Sequence, residues 1–430
     1  MKRIIATMAF VFAGLISCQT AGEPDPAVED ENPVIEEPGI VAEGEPIVLT
    51  EVEQQIAQKN NLFAFDLLRT VYLNEEQENN ILLSPLSASL ALAMLNNGAA
   101  EKTHDEIQQT LGYGDISRDE MNGYFKKMIE AMKKVDPLVS FESANSIWIK
   151  KDFSILEAFK ETNKNYFAAE VRNEDFSDPA TVGLINGWCA EKTHDKILDI
   201  IDGIPDGAIM YLINALYFKG VWTVQFDKEA TADEPFSNLD GATPLLPTMN
   251  MTQTFPHFEG ETFDILELPY GNESFAMLIL LPKEGVALSS VIDALDGETW
   301  EKSLSRMPGK NVALKLPRFK IEYEKELNDD LFAMGMESMF DSKIADFSLM
   351  RPEKDVSVSM VKQKTFAEVN EEGTEAAAVT AIEMEVTSVI GGGSPTLTPF
   401  YVNRPFLYFI KEKSTGTIFF TGVTKNLQLY

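Results

Sequence analysis

Residues 371–400 constrain the fold most, because they combine the pattern of a buried strand with the composition of a loop. The even positions from Thr374 to Val386 are small or apolar, whereas Glu375, Glu383 and Glu385 occupy odd positions. An alternation of period two predicts a strand with one buried face. The glycines and prolines that follow predict a loop instead. We interpret the stretch as a strand that has not yet entered its sheet.

The first 18 residues have the pattern of a secretory signal peptide. Lys2 and Arg3 precede an apolar run that is too short to span a membrane. The run ends in LISC, which is similar to a bacterial lipobox, in which the Cys becomes the lipid-modified N-terminus. We therefore expect an exported protein anchored by lipid at Cys18, as an outer membrane lipoprotein or on the cell surface, in the periplasm or the extracellular space. An ordinary signal peptide with a chance Cys is the alternative.

Residues 19–50 contain no Lys or Arg, nine acidic residues and five prolines. Such a segment buries too little apolar surface to fold, so we expect a disordered, self-repelling linker. Residues 51–430 are long enough for one large folded domain or two. The whole chain has a net charge of −32, which argues against nucleic acid as a partner.

The usual signatures of an enzyme are missing from the sequence. The three histidines have no metal-ligand spacing, and no phosphate-binding loop or GxSxG motif occurs, so we expect neither metal nor cofactor. Ser359 and Lys362 match the SxxK pattern of acyl-serine enzymes, but they lie in a segment with strand character. In a strand, an offset of three directs two side chains to opposite faces, so nucleophile and base could not meet. The residues therefore argue against an acyl-transfer enzyme.

Helical patterns are concentrated in the first half of the domain and strands in the second half. A helical stripe at residues 51–73 precedes a buried strand at 81–83 and an apolar helix that Ser84 and Pro85 begin. Thr103, followed three residues later by Glu106, predicts a capping box. Later strands are predicted at residues 262–269, 274–281, 311–323, 356–369, 405–411 and 416–424. This order indicates an α+β fold with large sheets.

Four segments together resemble the serpin family of serine protease inhibitors over essentially all of residues 51–430. They are NILLSPLS at 80–87, NALYFKGVW at 214–222, LPRF at 316–319 and FYVNRPFLYFI at 400–410. In addition, EVNEEGTEAAA at 368–378 is similar to the hinge of inhibitory members. The resemblance implies three β-sheets, eight or nine helices and an exposed reactive-centre loop at about residues 371–400.

The resemblance also implies that such a protein acts as an inhibitor that is consumed in the reaction, and not as an enzyme. A target protease cleaves the loop and forms an acyl-enzyme, and the loop then inserts into the central sheet and distorts the trapped protease. The expected partner is therefore a serine protease held covalently, with papain-like cysteine proteases as further targets, and the inhibitor is expected to be a monomer. The implied hinge comprises Glu371, Glu372, Gly373, Thr374, Glu375, Ala376, Ala377, Ala378, Val379 and Thr380.

The family's hinge-to-bond spacing, counted from Glu371, puts the reactive bond between Thr387 and Ser388. A small β-branched residue before the bond suits an elastase-like pocket, and the absence of Lys and Arg from residues 372–398 argues against trypsin-like targets. Slippage by one residue would select Val386 or Ser388 instead. The alternative function is that of a serpin fold that no longer inhibits and acts as a surface binding or carrier protein.

Two supporting sites are implied by the resemblance. The first, called the breach, is an ion pair of Arg318 and Glu371 beside Trp222, where the loop begins to insert. The second, called the shutter, is a polar cluster beneath the sheet that controls its opening, and it comprises Ser84, Ser87, Asn214 and Gln363. Gln363 stands where the family usually has His, so the pH dependence that a His would bring is lost. Simple polar packing is the alternative for both sites.

Overall fold

The structure, a computed structural model, describes residues 44–76, 78–374 and 397–429. Nine α-helices lie within these residues. They are α1 Glu51–Asn74, α2 Pro85–Asn96, α3 Glu101–Thr110, α4 Arg118–Met132, α5 Glu157–Phe167, α6 Ala180–Lys192, α7 Leu288–Ala294, α8 Gly297–Leu304 and α9 Asn328–Ala333. None of these helices is both long and apolar enough to cross a bilayer.

The same described residues form 15 strands. The first eight are β1 Ile81–Leu83, β2 Val139–Lys150, β3 Glu170–Glu174, β4 Met210–Val221, β5 Ala232–Pro235, β6 Leu245–Glu259, β7 Phe263–Tyr270 and β8 Phe275–Pro282. The other seven are β9 Gly309–Pro317, β10 Phe319–Glu326, β11 Met360–Val369, β12 Gly373–Thr374, β13 Thr398–Tyr401, β14 Phe406–Glu412 and β15 Ile418–Thr424.

Six strands form what we call the central sheet, in the order β10-β11-β12-β4-β2-β3. At one end of this sheet, residues 360–364 of β11 pair in parallel with residues 211–215 of β4. At the other end, the two-residue strand β12 lies between β11 and β4 and pairs antiparallel with both. The central sheet is therefore closed at one end and divided by β12 at the other.

The long strand β6 is shared by the other two sheets. Residues 257–259 of β6 pair with β7, in a sheet that continues through β8, β14 and β15 to β1. Residues 248–256 pair with β9, which pairs in turn with β13, while β5 pairs with β6. The expected α+β class with three sheets is confirmed.

The core lies between the central sheet and the strands β14 and β15. Every residue of α2 is buried, as expected for a helix that is apolar almost all round. The helix packs against β4 of the central sheet and against β15 of the sheet below it. All residues of β8, β14 and β15 are buried as well. The start of α2 therefore lies directly beneath the strands that β12 divides.

The predicted capping box at Thr103 and Glu106 is wrong, because α3 begins at Glu101 and Thr103 lies inside it. The Thr103 hydroxyl lies 3.0 Å from the hydroxyl of Ser338 and accepts a hydrogen bond from the backbone N–H of Asp346 at 2.9 Å. The Glu106 carboxylate accepts from the backbone N–H of Ser338 at 2.7 Å. Thr103 and Glu106 therefore form tertiary hydrogen bonds instead of capping the start of α3.

The linker expected over residues 19–50 ends earlier than predicted. Ile47 and Leu49 are buried in the core, and the backbone N–H of Ile47 donates to the Ser414 hydroxyl at 2.9 Å. Lys127 of α4 donates to the backbone carbonyl of Val48 at 3.0 Å. The segment from Gly44 onward therefore belongs to the folded domain, since two alternate apolar side chains are enough to dock an otherwise acidic stretch.

Candidate functional site

Arg318 and Glu371 meet at the end of the central sheet where β12 enters. Nε and Nη2 of Arg318 donate to the same carboxylate oxygen of Glu371, at 2.8 and 2.5 Å. The hydroxyl of Thr231 donates to that oxygen at 2.5 Å. Glu371 is 2% exposed, whereas 35% of the Arg318 side chain is exposed. A carboxylate at this depth is stable only with such partners, because an unpaired buried charge is costly.

The ionisation of Glu371 follows from these contacts. Burial acts to raise the pKa of this carboxyl, because surroundings of low polarity disfavour the charged form. The hydrogen bonds from Arg318 and Thr231 outweigh burial and hold the pKa of Glu371 below its usual value. Glu371 is therefore ionised at neutral pH, and the ion pair is present there.

Trp222, the first residue after β4, binds the turn that connects β11 to β12. Its indole Nε1 donates to the backbone carbonyl of Asn370 at 2.9 Å. Its backbone N–H donates to the carbonyl of Glu372 at 2.9 Å, and the backbone N–H of Phe226 donates to the carbonyl of Glu371 at 3.0 Å. Three successive carbonyls of the turn are thus held by the segment that follows β4.

Gly373 and Thr374, two residues of the expected hinge, lie in the central sheet as β12. Gly373 is opposite Val221 and Thr374 is opposite Gly220 on β4, and Thr374 is also opposite Val369 on β11. Thr374 is 2% exposed, so its side chain is on the inner face of the sheet. The first inward-facing residue of the alternating stretch is therefore already buried.

Tyr270, at the end of β7, connects the inserted residue to the breach. Its hydroxyl lies 2.7 Å from the hydroxyl of Thr374. Its ring stacks on the indole of Trp222, with centroids 4.4 Å apart and an interplanar angle of 12°. The same two rings therefore contact both the turn and the first inserted side chain.

Gly373 is required by the geometry of β12. Its φ is +152°, and a Cβ at this position would lie 2.0 Å from the backbone carbonyl oxygen of Gly220. Any side chain would therefore collide with β4 unless β12 left the sheet.

At the shutter, the side chain of Gln363 forms two hydrogen bonds with the backbone of Ser84. The Ser84 N–H donates to Oε1 of Gln363 at 2.8 Å, and Nε2 of Gln363 donates to the Ser84 carbonyl at 2.9 Å. Ser84 is the N-cap of α2, yet its hydroxyl does not cap the helix and donates to the carbonyl of Phe419 at 2.9 Å. Ser84 therefore joins β11 to α2 and to β15.

Asn214 lies directly opposite Gln363 where β4 pairs with β11. Its Nδ2 donates to the side-chain carbonyl of Asn145 on β2. Ser87 is 1% exposed, and neither its hydroxyl nor Oδ1 of Asn214 has a hydrogen-bond partner within the described part of the chain. The structure thus brings Ser84, Gln363 and Asn214 together, while Ser87 is buried nearby without a bond to them.

Several contact residues of the breach carry no signal in the sequence. Thr231 and Tyr270 were not singled out, although Thr231 bonds Glu371 of the ion pair and Tyr270 bonds Thr374 of β12. Lys228, which pairs with the Glu372 carboxylate at 2.5 Å, was also missed. Thr231 and Glu371 are separated by 140 residues, so no local periodicity could connect them.

The SxxK residues do not form a catalytic pair. The Ser359 hydroxyl accepts from the backbone N–H of Ile209 at 2.9 Å, whereas the Lys362 ammonium lies 2.5 Å from the Glu324 carboxylate. The strand interpretation is confirmed for β11, which begins at Met360. Nucleophile and base are thus engaged with different partners.

Other predicted site residues lie outside the described residues. These are the remaining hinge residues Glu375, Ala376, Ala377, Ala378, Val379 and Thr380, the expected reactive bond Thr387–Ser388, and the lipidation site Cys18.

Comparison with known proteins identifies the family to which this chain belongs. The family model described as serpin (serine protease inhibitor) matches residues 58–427. The chain is 33% identical to human Serpin I2 over 377 residues, which is 86% of this chain and 91% of that protein. The chain belongs to the serpin family.

Solved structures agree with this assignment. The native state of tengpin, a thermophilic serpin, superposes with a TM-score of 0.80 at 29% identity, covering 90% of this chain and 98% of that one. Human thyroxine-binding globulin, in complex with thyroxine, gives a TM-score of 0.79 at 28% identity, with coverage of 88% and 100%. The chain therefore has the serpin fold.

Proposed function

We propose that this protein is a suicide inhibitor of serine proteases that acts by insertion of its cleaved reactive-centre loop into the central sheet. The observation that carries the proposal is the position of β12. Gly373 and Thr374 lie between β11 and β4, with Thr374 directed inward. A strand that has begun to enter can continue if the two strands beside it separate.

The register of β12 defines the path that further insertion would follow. Each loop residue after Thr374 would pair one position further along β4 and β11, because an antiparallel ladder advances residue by residue. Continued over six residues, the register would bring Thr380 opposite Asn214 on β4 and opposite Gln363 on β11. Asn214 and Gln363 are now each other's direct partners. The two shutter residues would therefore have to part for Thr380 to enter.

The alternation of the loop fits this path. Thr374 is inward, so Ala376, Ala378 and Thr380 would follow on the same face, because side chains alternate along a strand. Small side chains there require little space while the sheet opens. Each net hydrogen bond formed by the entering strand contributes about 0.5–1.5 kcal/mol, and the burial of Ile382 and Met384 adds to this. Cleavage would release this free energy.

The target class follows from the expected reactive bond at Thr387–Ser388. We infer an elastase-like protease, or another that prefers small or aliphatic residues, from the small side chain of Thr387. Papain-like cysteine proteases belong to the same proposal, because they also form an acyl-enzyme. Mass spectrometry of the fragment released after reaction would identify the bond, and cleavage elsewhere than residues 386–388 would overturn this assignment.

Incubation with elastase tests the inhibitory function. We expect a complex that survives boiling in detergent and migrates at the summed mass of the two proteins. Elastase whose nucleophilic serine is replaced by alanine should give no such band, because no acyl bond can form. If elastase and a panel of other proteases all cleave the loop without forming a complex, the proposal is wrong.

A non-inhibitory carrier is the alternative, since thyroxine-binding globulin shares the fold and binds thyroxine. The two functions differ in what cleavage of the loop does to stability. An inserting loop adds a strand to the central sheet and should raise the melting temperature by tens of degrees. An unchanged melting temperature after complete cleavage would favour the carrier.

We further propose that the inhibitor is exported and attached to a membrane through lipid at Cys18, and that it acts as a monomer. Metabolic labelling with palmitate should mark the wild-type chain and leave Cys18→Ala unlabelled in the soluble fraction. Equal labelling of both chains would overturn the anchor. A complex of one inhibitor and one protease in light scattering is the expected stoichiometry.

A further inference from the structure

A cavity of about 350 Å³ adjoins the breach and has Trp222 in its wall. Its apolar lining includes Trp222, Met251, Phe255 and Leu268. Trp222, Phe255 and Leu268 are each less than 5% exposed. Sites for small molecules are typically clefts of about 300–1,000 Å³ with mainly apolar walls and a few polar groups. The volume and lining fall within that class.

Two charged side chains of the wall, Glu267 and Lys413, belong to a cluster that also includes Lys411. The Glu267 carboxylate, on β7, is 7% exposed and lines the cavity. One of its oxygens lies 3.0 Å from the ammonium of Lys413, and the other lies 3.4 Å from that of Lys411. Two ammonium groups thus share the Glu267 carboxylate, and the buried carboxylate of Glu412 also acts on Lys411. Glu273 also lines the cavity, but it is exposed, where solvent screens its charge.

Lys413 is the member of the cluster that can bind a further anion. Its side chain is 32% exposed and lines the cavity, whereas that of Lys411 is 10% exposed and does not line it. An ammonium group has three donors, and the contact with Glu267 occupies only part of this capacity. A partly exposed ammonium group beside apolar walls suits a ligand that combines one anionic group with an apolar body.

We propose that this cavity binds a small apolar monoanion, of the class of aromatic or short-chain carboxylates, with its carboxylate on Lys413 and its apolar part against Trp222 and Phe255. Charge-assisted hydrogen bonds are about twice as strong as neutral ones, so the carboxylate provides orientation and selectivity. The apolar part provides affinity by leaving water. The proposal does not depend on protease inhibition, because it uses only the charge and shape of the cavity.

Isothermal titration calorimetry with 2-naphthoate tests the site in the full chain. We expect saturable binding at one site per chain. The neutral analogue 2-naphthalenemethanol should bind about tenfold more weakly, because it lacks the charge that Lys413 pairs with. The cationic analogue 2-naphthylmethylamine should not bind. An absence of saturable binding of 2-naphthoate, or equal affinity for the amine, would overturn the proposal.

Two lysine variants locate the binding. Lys413→Gln should weaken 2-naphthoate about tenfold. Lys283→Gln is the matched control, because Lys283 is equally exposed at 33%, forms its own ion pair with Asp264 at 2.8 Å and does not line the cavity. Thr254→Trp, at an exposed position of the lining, should fill the cavity and abolish binding. If Lys413→Gln and Thr254→Trp bind 2-naphthoate like Lys283→Gln, the ligand lies elsewhere and the assignment is wrong.

Discussion

The side-chain amide of Gln363 on β11 binds the backbone N–H and the backbone carbonyl of Ser84 at once, at 2.8 and 2.9 Å. An amide carries an acceptor and a donor on one carbon, which suits both groups of a single residue. The two ring nitrogens of a histidine point in different directions and cannot form this pair of bonds with one residue. Gln363 therefore joins the closed end of the central sheet to α2 through two hydrogen bonds that a histidine could not form, and it does so without a titratable group.

Gln363→Leu tests the strength of this connection. The substitution leaves the buried N–H of Ser84 without a partner, whereas the Ser84 carbonyl still accepts from the backbone N–H of Ala88 at 3.1 Å. A buried donor without a partner costs about 1–3 kcal/mol. We expect the free energy of unfolding, measured in urea, to fall by about 1–3 kcal/mol. Gln109→Leu makes the same change at an exposed position of α3 and should be nearly neutral. Equal losses in the two variants would show that the bonds to Ser84 contribute little.

The Arg318–Glu371 ion pair predicts a pH dependence. Because the pKa of Glu371 is lower when folded than its ordinary value of 4.5, its ionised form stabilises the fold fully above about pH 4.5. This contribution is lost as the pH falls through the folded pKa. Glu371→Gln should therefore be less stable than wild type at pH 7, by about 1–2 kcal/mol, and the difference should shrink below pH 4.5.

Urea unfolding at pH 7, 5 and 3.5 measures that difference. Glu261→Gln, in an exposed turn, provides a carboxylate control whose difference from wild type should stay small at all three values. A Glu371→Gln difference that grows on acidification would contradict the assigned sign.

Gly373→Ala tests the role of β12 in insertion. The added Cβ would lie 2.0 Å from the carbonyl oxygen of Gly220, so β12 should leave the sheet. We expect the variant to be cleaved by elastase as a substrate, with the detergent-stable complex largely lost. Gly285 also has a positive φ, of +79°, but there is open space around its Cβ position, so Gly285→Ala should still form the complex. Complex formation by Gly373→Ala at the wild-type yield would exclude a requirement for this register.

The alternation of the loop can be tested with a pair of neighbouring substitutions. Ala378→Arg would bring a charge to the inner face of the inserted strand, where an unpaired charge is costly, whereas Ala377→Arg would face outward. The number of inhibitor molecules consumed per protease inactivated should rise about tenfold for Ala378→Arg and less than about twofold for Ala377→Arg. Reversed or equal effects would show that the inward face is assigned incorrectly.

Thr387→Arg tests the reactive bond. A long cationic side chain before the bond suits the acidic pocket of trypsin and does not fit a shallow apolar pocket. The rate of trypsin inhibition should rise, and that of elastase inhibition should fall, each by at least about tenfold. Val386→Arg is the neighbouring control, and a larger switch in that variant would move the bond by one residue.

Much of the fold could be predicted because its signals are local. The apolar run that forms α2 has no polar face, so it had to be buried, and all its residues are. The strands β7, β8, β14 and β15 follow from short apolar or alternating runs between turn residues. The breach ion pair and the shutter residues came from the family resemblance, since Arg318 and Glu371 lie 53 residues apart.

Local sequence patterns gave wrong hydrogen-bond partners where a side chain could either cap a helix or bond a distant residue. Thr103 and Glu106 have the spacing of a capping box, but they bind residues 338 and 346. Ser84 has the position of an N-cap, but its hydroxyl binds Phe419. In each case a distant partner competes with the nearby backbone for one hydroxyl or carboxylate, and only the packed chain decides between them.

The alternation from Thr374 onward was evident without any structure, because it depends only on which side chains are two residues apart. Three tertiary relations could not be predicted in this way. They are the pairing of Gly373 with Val221, the contact of Thr374 with Tyr270 and the position of Asn214 opposite Gln363. These are relations between strands that are far apart in the chain, and their register is set by packing of the whole sheet. Local periodicity therefore identified a strand, and the tertiary structure decided which two strands it enters between and at which residue.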